Sequence, residues 1–511
     1  MTSEHRVSEL ARRRDRALAM GGAAKLEARK RLGLLNARQR IDLLFDPGSF
    51  KEVGLFATSH RPEDRDDTPA DGKISGFGRI EGRKVAAISN DLTVKGASSS
   101  QTNSRKMAYV KRVAIRTGMP IVFLGESSGA RIPDTMGAVA MGSGGQDPEQ
   151  YLRRRETPWV SAVLGPCFGS AAWYTSLSDF VVMRKGAVLA VSSPKVTSVA
   201  INEAVDPEEL GGWRLHTGIT GMVDRAVDTD EEAIHEVRRF LGYLPSHRNQ
   251  CPPLAPVPAG SDEAASRLLE ILPERRERVY DVRAVVDCIV DAGSFFPLKE
   301  RFAKVVVTGL ARLDGHTVGI LACNPIVKGG ALDADACDKA TSFLVLCDSF
   351  NIPIVLLVDT PGFLIGIEGE RRKAPGRIMN FMHALQLCSV PKISVVMRKI
   401  YGQAYLNMGG GRNSDEVAAW FTAEISFMDP AVGVSVVYGV KPEDDPQRYE
   451  ELFQSLRRET SAYDWAGCFG AQSVIDPRET RRYLIEALDY HRRDIDGGIG
   501  RHEMSNWPTT F

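Results

Sequence analysis

The sequence predicts an α/β protein built as two copies of one unit. Three observations carry that prediction. Short apolar runs alternate with longer amphipathic ones, as strands alternate with helices in layered folds. Landmarks of the first half recur in the second at one constant spacing. A proline-rich stretch interrupts the pattern near residue 250, midway along the 511 residues.

The elements follow in order. The chain as far as His60 is polar, basic and helical in pattern, with the charged run Leu10-Ala11-Arg12-Arg13-Arg14-Asp15-Arg16. From Gly72 the pattern turns to strands. Ile74–Ile80 and Lys84–Ser89 flank Glu81-Gly82-Arg83, which predicts a hairpin. Met107–Thr117 has helical spacing, and Pro120–Leu124 is an apolar strand ending at Gly125. Val160–Leu164 is another, and the alternation continues to about residue 240. Pro245, Pro252, Pro253, Pro256 and Pro258 then mark a semi-rigid linker. It divides the chain into domains 1–250 and 251–511. After about residue 275 the α/β pattern resumes, with a strand at Ile393–Met397.

The repeat is read from four matches. Val94-Lys95-Gly96-Ala97 pairs with Val327-Lys328-Gly329-Gly330, and Pro120–Leu124 with Pro353–Leu357. Pro158 pairs with Pro391, and Gly169-Ser170-Ala171 with Gly402-Gln403-Ala404. Every pair is separated by the same stretch of chain as Lys95 and Lys328. One spacing across four separated landmarks predicts an internal duplication.

Composition excludes several classes. Lys and Arg number 65 against 65 Asp and Glu, so charge gives no reason to expect nucleic acid or an anionic membrane. No apolar run approaches the roughly 20 residues of a spanning helix. Glu4, Glu9 and Asp15 speak against a mitochondrial transit peptide, and a cytoplasmic location is expected. Eight Cys contain no C-x-x-C pair; Cys337 and Cys347 are the closest. Buried reduced thiols are expected, with neither a disulfide framework nor a bound metal.

The chemistry is expected at two turns. In each half an apolar strand ends in small residues and a helix begins. The turns are Gly165-Pro166-Cys167-Phe168-Gly169-Ser170-Ala171 and Arg398-Lys399-Ile400-Tyr401-Gly402-Gln403-Ala404. Free backbone N–H groups there attract developing negative charge, so two turns predict two oxyanion holes; a tight connection without a ligand has the same pattern. Ser128-Gly129-Ala130-Arg131 could hold a phosphate or a thioester carbonyl. No Walker loop, nucleophile elbow or H-E-x-x-H occurs. Glu203 and His216 are acid/base candidates on paper, though such residues more often serve structure.

Taken together, these stretches resemble the carboxyltransferase (β) subunits of biotin-dependent acyl-CoA carboxylases, most closely the propionyl-CoA and methylcrotonyl-CoA types. The resemblance runs from Ala37-Arg38-Gln39-Arg40-Ile41-Asp42-Leu43-Leu44-Phe45-Asp46 to about residue 480. It also rests on Asn90-Asp91-Leu92-Thr93-Val94-Lys95-Gly96, Ser128-Gly129-Ala130-Arg131 and Gly165-Pro166-Cys167. In the second half it rests on Asp359-Thr360-Pro361-Gly362-Phe363 and on Arg398 to Tyr405. It implies a crotonase-like fold of ββα turns in each half and a homo-oligomer, usually a hexamer built as a dimer of trimers. Active sites would form between the first half of one subunit and the second half of another. The first half would take acyl-CoA, the second biotin. The carboxyl group of carboxybiotin would pass to the α-carbon of the acyl-CoA through a thioester enolate.

The resemblance also implies residue roles. The N–H groups of Gly169 and Ser170 would hold the thioester oxygen, and those of Gln403 and Ala404 the biotin ureido oxygen. Ser128, Gly129, Ala130, Arg131, Phe168 and Leu406 would line the substrate, and Gly362, Phe363, Tyr401 and Gly402 the biotin. No Met-Lys-Met biotinylation motif occurs, so a biotin carboxylase or carboxyl carrier subunit would bring the biotin. Departures from the family pattern fall at Ser170 and Gln403, where Gly is usual, and at Phe168. Arg371-Arg372-Lys373-Ala374-Pro375-Gly376-Arg377 replaces a Gly- and His-containing segment, giving a solvated loop or a contact for CoA phosphates or a carrier. Leu406 stands where the family selects acyl length. A carboxyacyl-CoA decarboxylase subunit, a biotin-independent crotonase-type enzyme and a non-catalytic scaffold subunit are the alternatives.

Overall fold

Two eight-stranded sheets organise the described residues, which are 2–143, 147–275 and 278–508 of a computed structural model. They lie in separate units, Met1–Asn249 and Gln250–Phe511. The first sheet comprises β1 Lys51–Glu52, β2 Lys73–Ile80, β3 Arg83–Asn90, β4 Ile121–Ser127, β5 Trp159–Phe168, β6 Phe180–Arg184, β7 Val188–Ala190 and β8 Arg225–Val227. The second comprises β9 Phe296–Leu298, β10 Val306–Leu313, β11 His316–Cys323, β12 Ile354–Thr360, β13 Lys392–Tyr401, β14 Glu416–Trp420, β15 Glu424–Ser426 and β16 Ser473–Ile475. The orders are β1-β2-β3-β4-β5-β6-β8 with β7 on β5, and β9-β10-β11-β12-β13-β14-β16 with β15 on β13.

Each sheet opens on an antiparallel hairpin and continues in parallel. Glu81 and Gly82 take φ of +50° and +79°, and Asp314 and Gly315 +50° and +76°. Two successive positive φ values match the right-handed strand twist. A carboxylate holds each turn. Asp46 accepts from the N–H groups of Glu81 and Gly82 at 3.0 and 2.9 Å. Asp291 accepts from those of Asp314 and Gly315 at 3.0 and 2.8 Å.

The parallel strands are buried on both faces and so read as continuous apolar runs. The Gln101–Thr117 and Ala334–Ser349 helices make the crossovers between β3 and β4 and between β11 and β12. The first starts at Gln101, ahead of the expected Met107, because the Ser100–Asn103 capping box fixes its N-terminus. β5 runs to Phe168 rather than Leu164, because β7 pairs alongside Pro166–Phe168. The register shifts between Gly125 and Ser127 on β4 and between Val358 and Thr360 on β12, positions related by the spacing of the repeat.

Buried charges are satisfied locally, since an unpaired one costs several kcal/mol. Lys106 donates to the carbonyls of Gly54, Ala70 and Lys73. Its counterpart Lys339 donates to those of Lys299, Phe302 and Val306. Glu126 on β4 receives Arg29 and Arg40, each at 2.7 Å, and Arg40 also meets Asp230 at 2.8 Å. Gly165 makes room for this cluster: a Cβ there would sit 2.5 Å from the Glu126 carboxylate. In the second unit Asp359 replaces Glu126, and Arg398 stands in place of Gly165 and pairs with Asp359 at 2.9 Å.

Residues 245–258 form no helix or strand. Six cysteines are buried, but Cys251 and Cys468 are exposed, against the expectation of uniformly buried thiols. Among the described residues, no helix is long and apolar enough to cross a membrane, and no group of three His, Cys, Asp or Glu could hold a metal ion.

Candidate active site

The two expected turns share a glycine corner of positive φ between strand and helix. β5 leads into Gly169 at φ +61° and the Ser170–Ser176 helix. β13 leads into Gly402 at φ +59° and the Ala404–Asn407 helix. A positive φ costs glycine little, which explains the residue at both corners. Gly169 N–H donates to the Val191 carbonyl and Gly402 N–H to that of Ser426, each at 3.1 Å. The first helical bonds run from Trp173 N–H to the Gly169 carbonyl and from Tyr405 N–H to the Gly402 carbonyl. The N–H groups of Ser170, Ala171 and Ala172, and of Gln403 and Ala404, precede those bonds.

This corrects the expected role of Gly169: its N–H is engaged by Val191, and the N–H groups left free at the turn start at Ser170. The constant spacing carried that signal, since it pairs Gln403 and Ala404 with Ser170 and Ala171, not with Gly169 and Ser170.

A second loop approaches each turn. Ser99 and Ala130 form an isolated parallel bridge, with Ser99 N–H on the Gly129 carbonyl and Arg131 N–H on that of Ser99, both at 2.8 Å. Leu332 and Phe363 form its counterpart, with Leu332 N–H on the Gly362 carbonyl at 3.0 Å. Gly129 and Gly362 take φ of +101° and +123°. A Cβ on Gly169 would meet Gly129 Cα at 3.9 Å, and one on Gly362 the Tyr401 carbonyl at 3.6 Å.

The expected side chains fall into two groups. Ser128 and Ala130 are exposed beside the first turn, and Phe363 and Leu406 are half-buried in the second unit. Trp173, the counterpart of Leu406, is 47% exposed. Arg131, Tyr401 and Phe168 are buried. Arg131 meets Asp71 at 2.7 Å and Ser98 Oγ at 3.2 Å, so its guanidinium braces the loop instead of meeting a substrate phosphate. Tyr401 gives its hydroxyl to Glu424 at 2.9 Å, which leaves its backbone beside Gly362. The basic segment is divided. Arg372 pairs with Asp335 and Arg377 with Asp338, so neither is an unneutralised cation, and a helix begins at Ala374.

Among the described residues, Cys167 and His216 are not set up as nucleophiles. Burial pushes the Cys167 thiol up to about 12, so it stays protonated at neutral pH. His216 places Nε2 2.8 Å from the Leu189 carbonyl and Nδ1 3.1 Å from Thr220 Oγ1, holding β7 in place. Burial pushes its pKa down. Glu203 is exposed. Ser99 and Ala171 were not among the expected site residues.

Known proteins share this architecture. The family model described as "Carboxyl transferase domain" matches residues 29–495. The propionyl-CoA carboxylase carboxyltransferase subunit of Haloferax mediterranei is 36% identical over 501 residues, covering 96% of both proteins. The methylmalonyl-CoA carboxyltransferase 12S subunit of Propionibacterium freudenreichii subsp. shermanii is 36% identical over 499 residues, covering 96% of this chain and 95% of that protein. A crystal structure of transcarboxylase 12S, described as a hexamer assembly with methylmalonyl-coenzyme A and methylmalonic acid bound, gives a TM-score of 0.88 at 34% identity over 96% of both chains. The two units are tandem crotonase-like domains, and the chain belongs to the carboxyl transferase domain family.

Proposed function

We propose that this chain is the carboxyltransferase subunit of a biotin-dependent acyl-CoA carboxylase, acting on a short acyl-CoA. One observation carries the reading: a glycine corner of positive φ, followed by at least two N–H groups ahead of the first helical bond, occurs once in each unit. Two donor pairs suit a reaction in which two oxygens gain negative charge.

The residues present fit both groups. Ser170 and Ala171 are the donors for the thioester oxygen, with exposed Ser128 and Ala130 along the acyl-CoA and Trp173 beside its acyl end. Gln403 and Ala404 are the donors for a ureido oxygen, with Gly362 and half-buried Phe363 on the neighbouring loop. Biotin, brought by a carrier subunit, supplies the carboxyl group and the base that takes the α-proton. The chain positions the thioester and stabilises the enolate oxygen through fixed backbone dipoles, which need no reorganisation as charge develops. Leu406 and Trp173 set the acyl length. A hexamer built as a dimer of trimers is the expected assembly, with Met1–Asn249 as the acyl-CoA side and Gln250–Phe511 as the biotin side.

The test is transfer of labelled carboxyl from a carboxylated biotinyl carrier to propionyl-CoA. Wild type should transfer. Ala404→Pro removes one donor and should lose on the order of 10²-fold while keeping its oligomeric mass. Full activity in that variant would sink the second donor pair. No transfer from wild type to any acyl-CoA would sink the whole reading.

A further inference from the structure

The first-half turn carries a polar pair that its duplicate lacks. Ser99 Oγ and Ser170 Oγ lie 2.8 Å apart, both side chains half-buried. Their counterparts in the second unit are Leu332 and Gln403, and a leucine can offer no hydroxyl. The pair is held from both ends. Ser99 is fixed by its bridge to Ala130, through hydrogen bonds at 2.8 Å to Gly129 and from Arg131. Ser170 is fixed by the corner at Gly169. The two hydroxyls therefore span from the loop after β3 to the turn after β5, beside the N–H groups of Ser170 and Ala171.

A hydroxyl has one proton to donate and two lone pairs to accept. In a hydroxyl pair one member donates to the other, and the acceptor keeps its own O–H for a third group. If Ser99 is the donor, Ser170 keeps a proton polarised by the bond it accepts. We propose that Ser170 is a catalytic residue whose hydroxyl gives the thioester oxygen a third hydrogen bond, with Ser99 as its positioning residue. The proposal rests on the reading of the first unit as the acyl-CoA side. Neither serine loses its proton; the α-proton of the acyl-CoA leaves to the base that arrives with the biotin. The duplication explains the asymmetry. An enolate carries most of its charge on oxygen, whereas a ureido anion divides it between the oxygen and the deprotonated nitrogen, and the extra donor stands on the enolate side alone.

The experiment uses the intact oligomer and propionyl-CoA labelled with ¹³C at its carbonyl. Infrared difference spectroscopy reads the polarisation of the bound carbonyl, and transfer assays give kcat and KM. Wild type should shift the carbonyl stretch to lower frequency. Ser170→Ala should lose part of that shift and roughly tenfold in kcat, with KM nearly unchanged. Ser170→Thr, which keeps a hydroxyl, should restore most of both. Ser99→Ala leaves the helix start intact and should give an intermediate loss, so it decides the matter if Ser170→Ala fails to assemble. A wild-type stretch and kcat in both alanine variants would overturn the proposal and leave the acyl-CoA reading standing. An unshifted carbonyl in wild type itself would overturn both.

Discussion

Single residues here are most exposed to error where charge is buried. Glu126 is neutralised by two guanidinium groups that have little access to solvent. Glu126→Ala would leave Arg29 without a carboxylate and Arg40 with Asp230 alone, and breaking a buried pair in this way costs about 3–5 kcal/mol. Urea unfolding should show that loss; a change below about 1 kcal/mol would mean that water or Asp230 takes over. Lys73 makes a pH prediction. Burial lowers its pKa from 10.5 to about 7. Between those values the unfolded chain holds a proton that the folded chain does not, so stability rises as pH climbs through that window. Lys106, lowered by burial to about 8, acts in the same direction. Lys73→Met should flatten the rise of the urea midpoint between pH 7 and 9, and an unchanged slope would mean Lys73 folds charged. Such pairings were not legible in the sequence. Arg131 looked like a ligand for phosphate because its partner Asp71 lies 60 residues earlier in the chain. Tyr401 looked available because nothing local marks Glu424 as its acceptor.

At the scale of elements, the sequence showed where strands and turns begin better than where they end. The apolar run of β5 and the glycine at its corner were plain. The end of β5, from Gly165 to Phe168, was not, because it is held by β7, a short strand with no periodicity of its own. The same side pairing takes the Gly169 N–H, so an unread short strand became a misassigned donor. The corrected turn makes its own prediction. Ala171→Pro removes the N–H of the second donor but keeps a φ that the first turn of a helix accepts. Transfer should fall on the order of 10²-fold, as for Ala404→Pro, with the circular dichroism of wild type. Comparable activity to wild type would return the role to other donors.

For the whole molecule, the duplication was legible because four landmarks kept one spacing, which means that the lengths between them survived while most side chains changed. Lys106 and Lys339 keep one cage, yet Gly165 and Arg398 solve the neighbouring charge problem in opposite ways. Subunit assembly left no such mark, since nothing within one chain's periodicity encodes which faces meet. The family resemblance implies sites that combine the first half of one subunit with the second half of another, and that arrangement has a countable consequence. Co-expressed Ala171→Pro and Ala404→Pro chains should assemble at about six times 56.0 kDa. Each variant alone has no intact site. In a random mixture, half of the first units and half of the second units are intact, and the two come from different chains. Sites shared between subunits should then recover about a quarter of wild-type transfer. Sites made within one chain should recover none, because no chain carries both donor pairs.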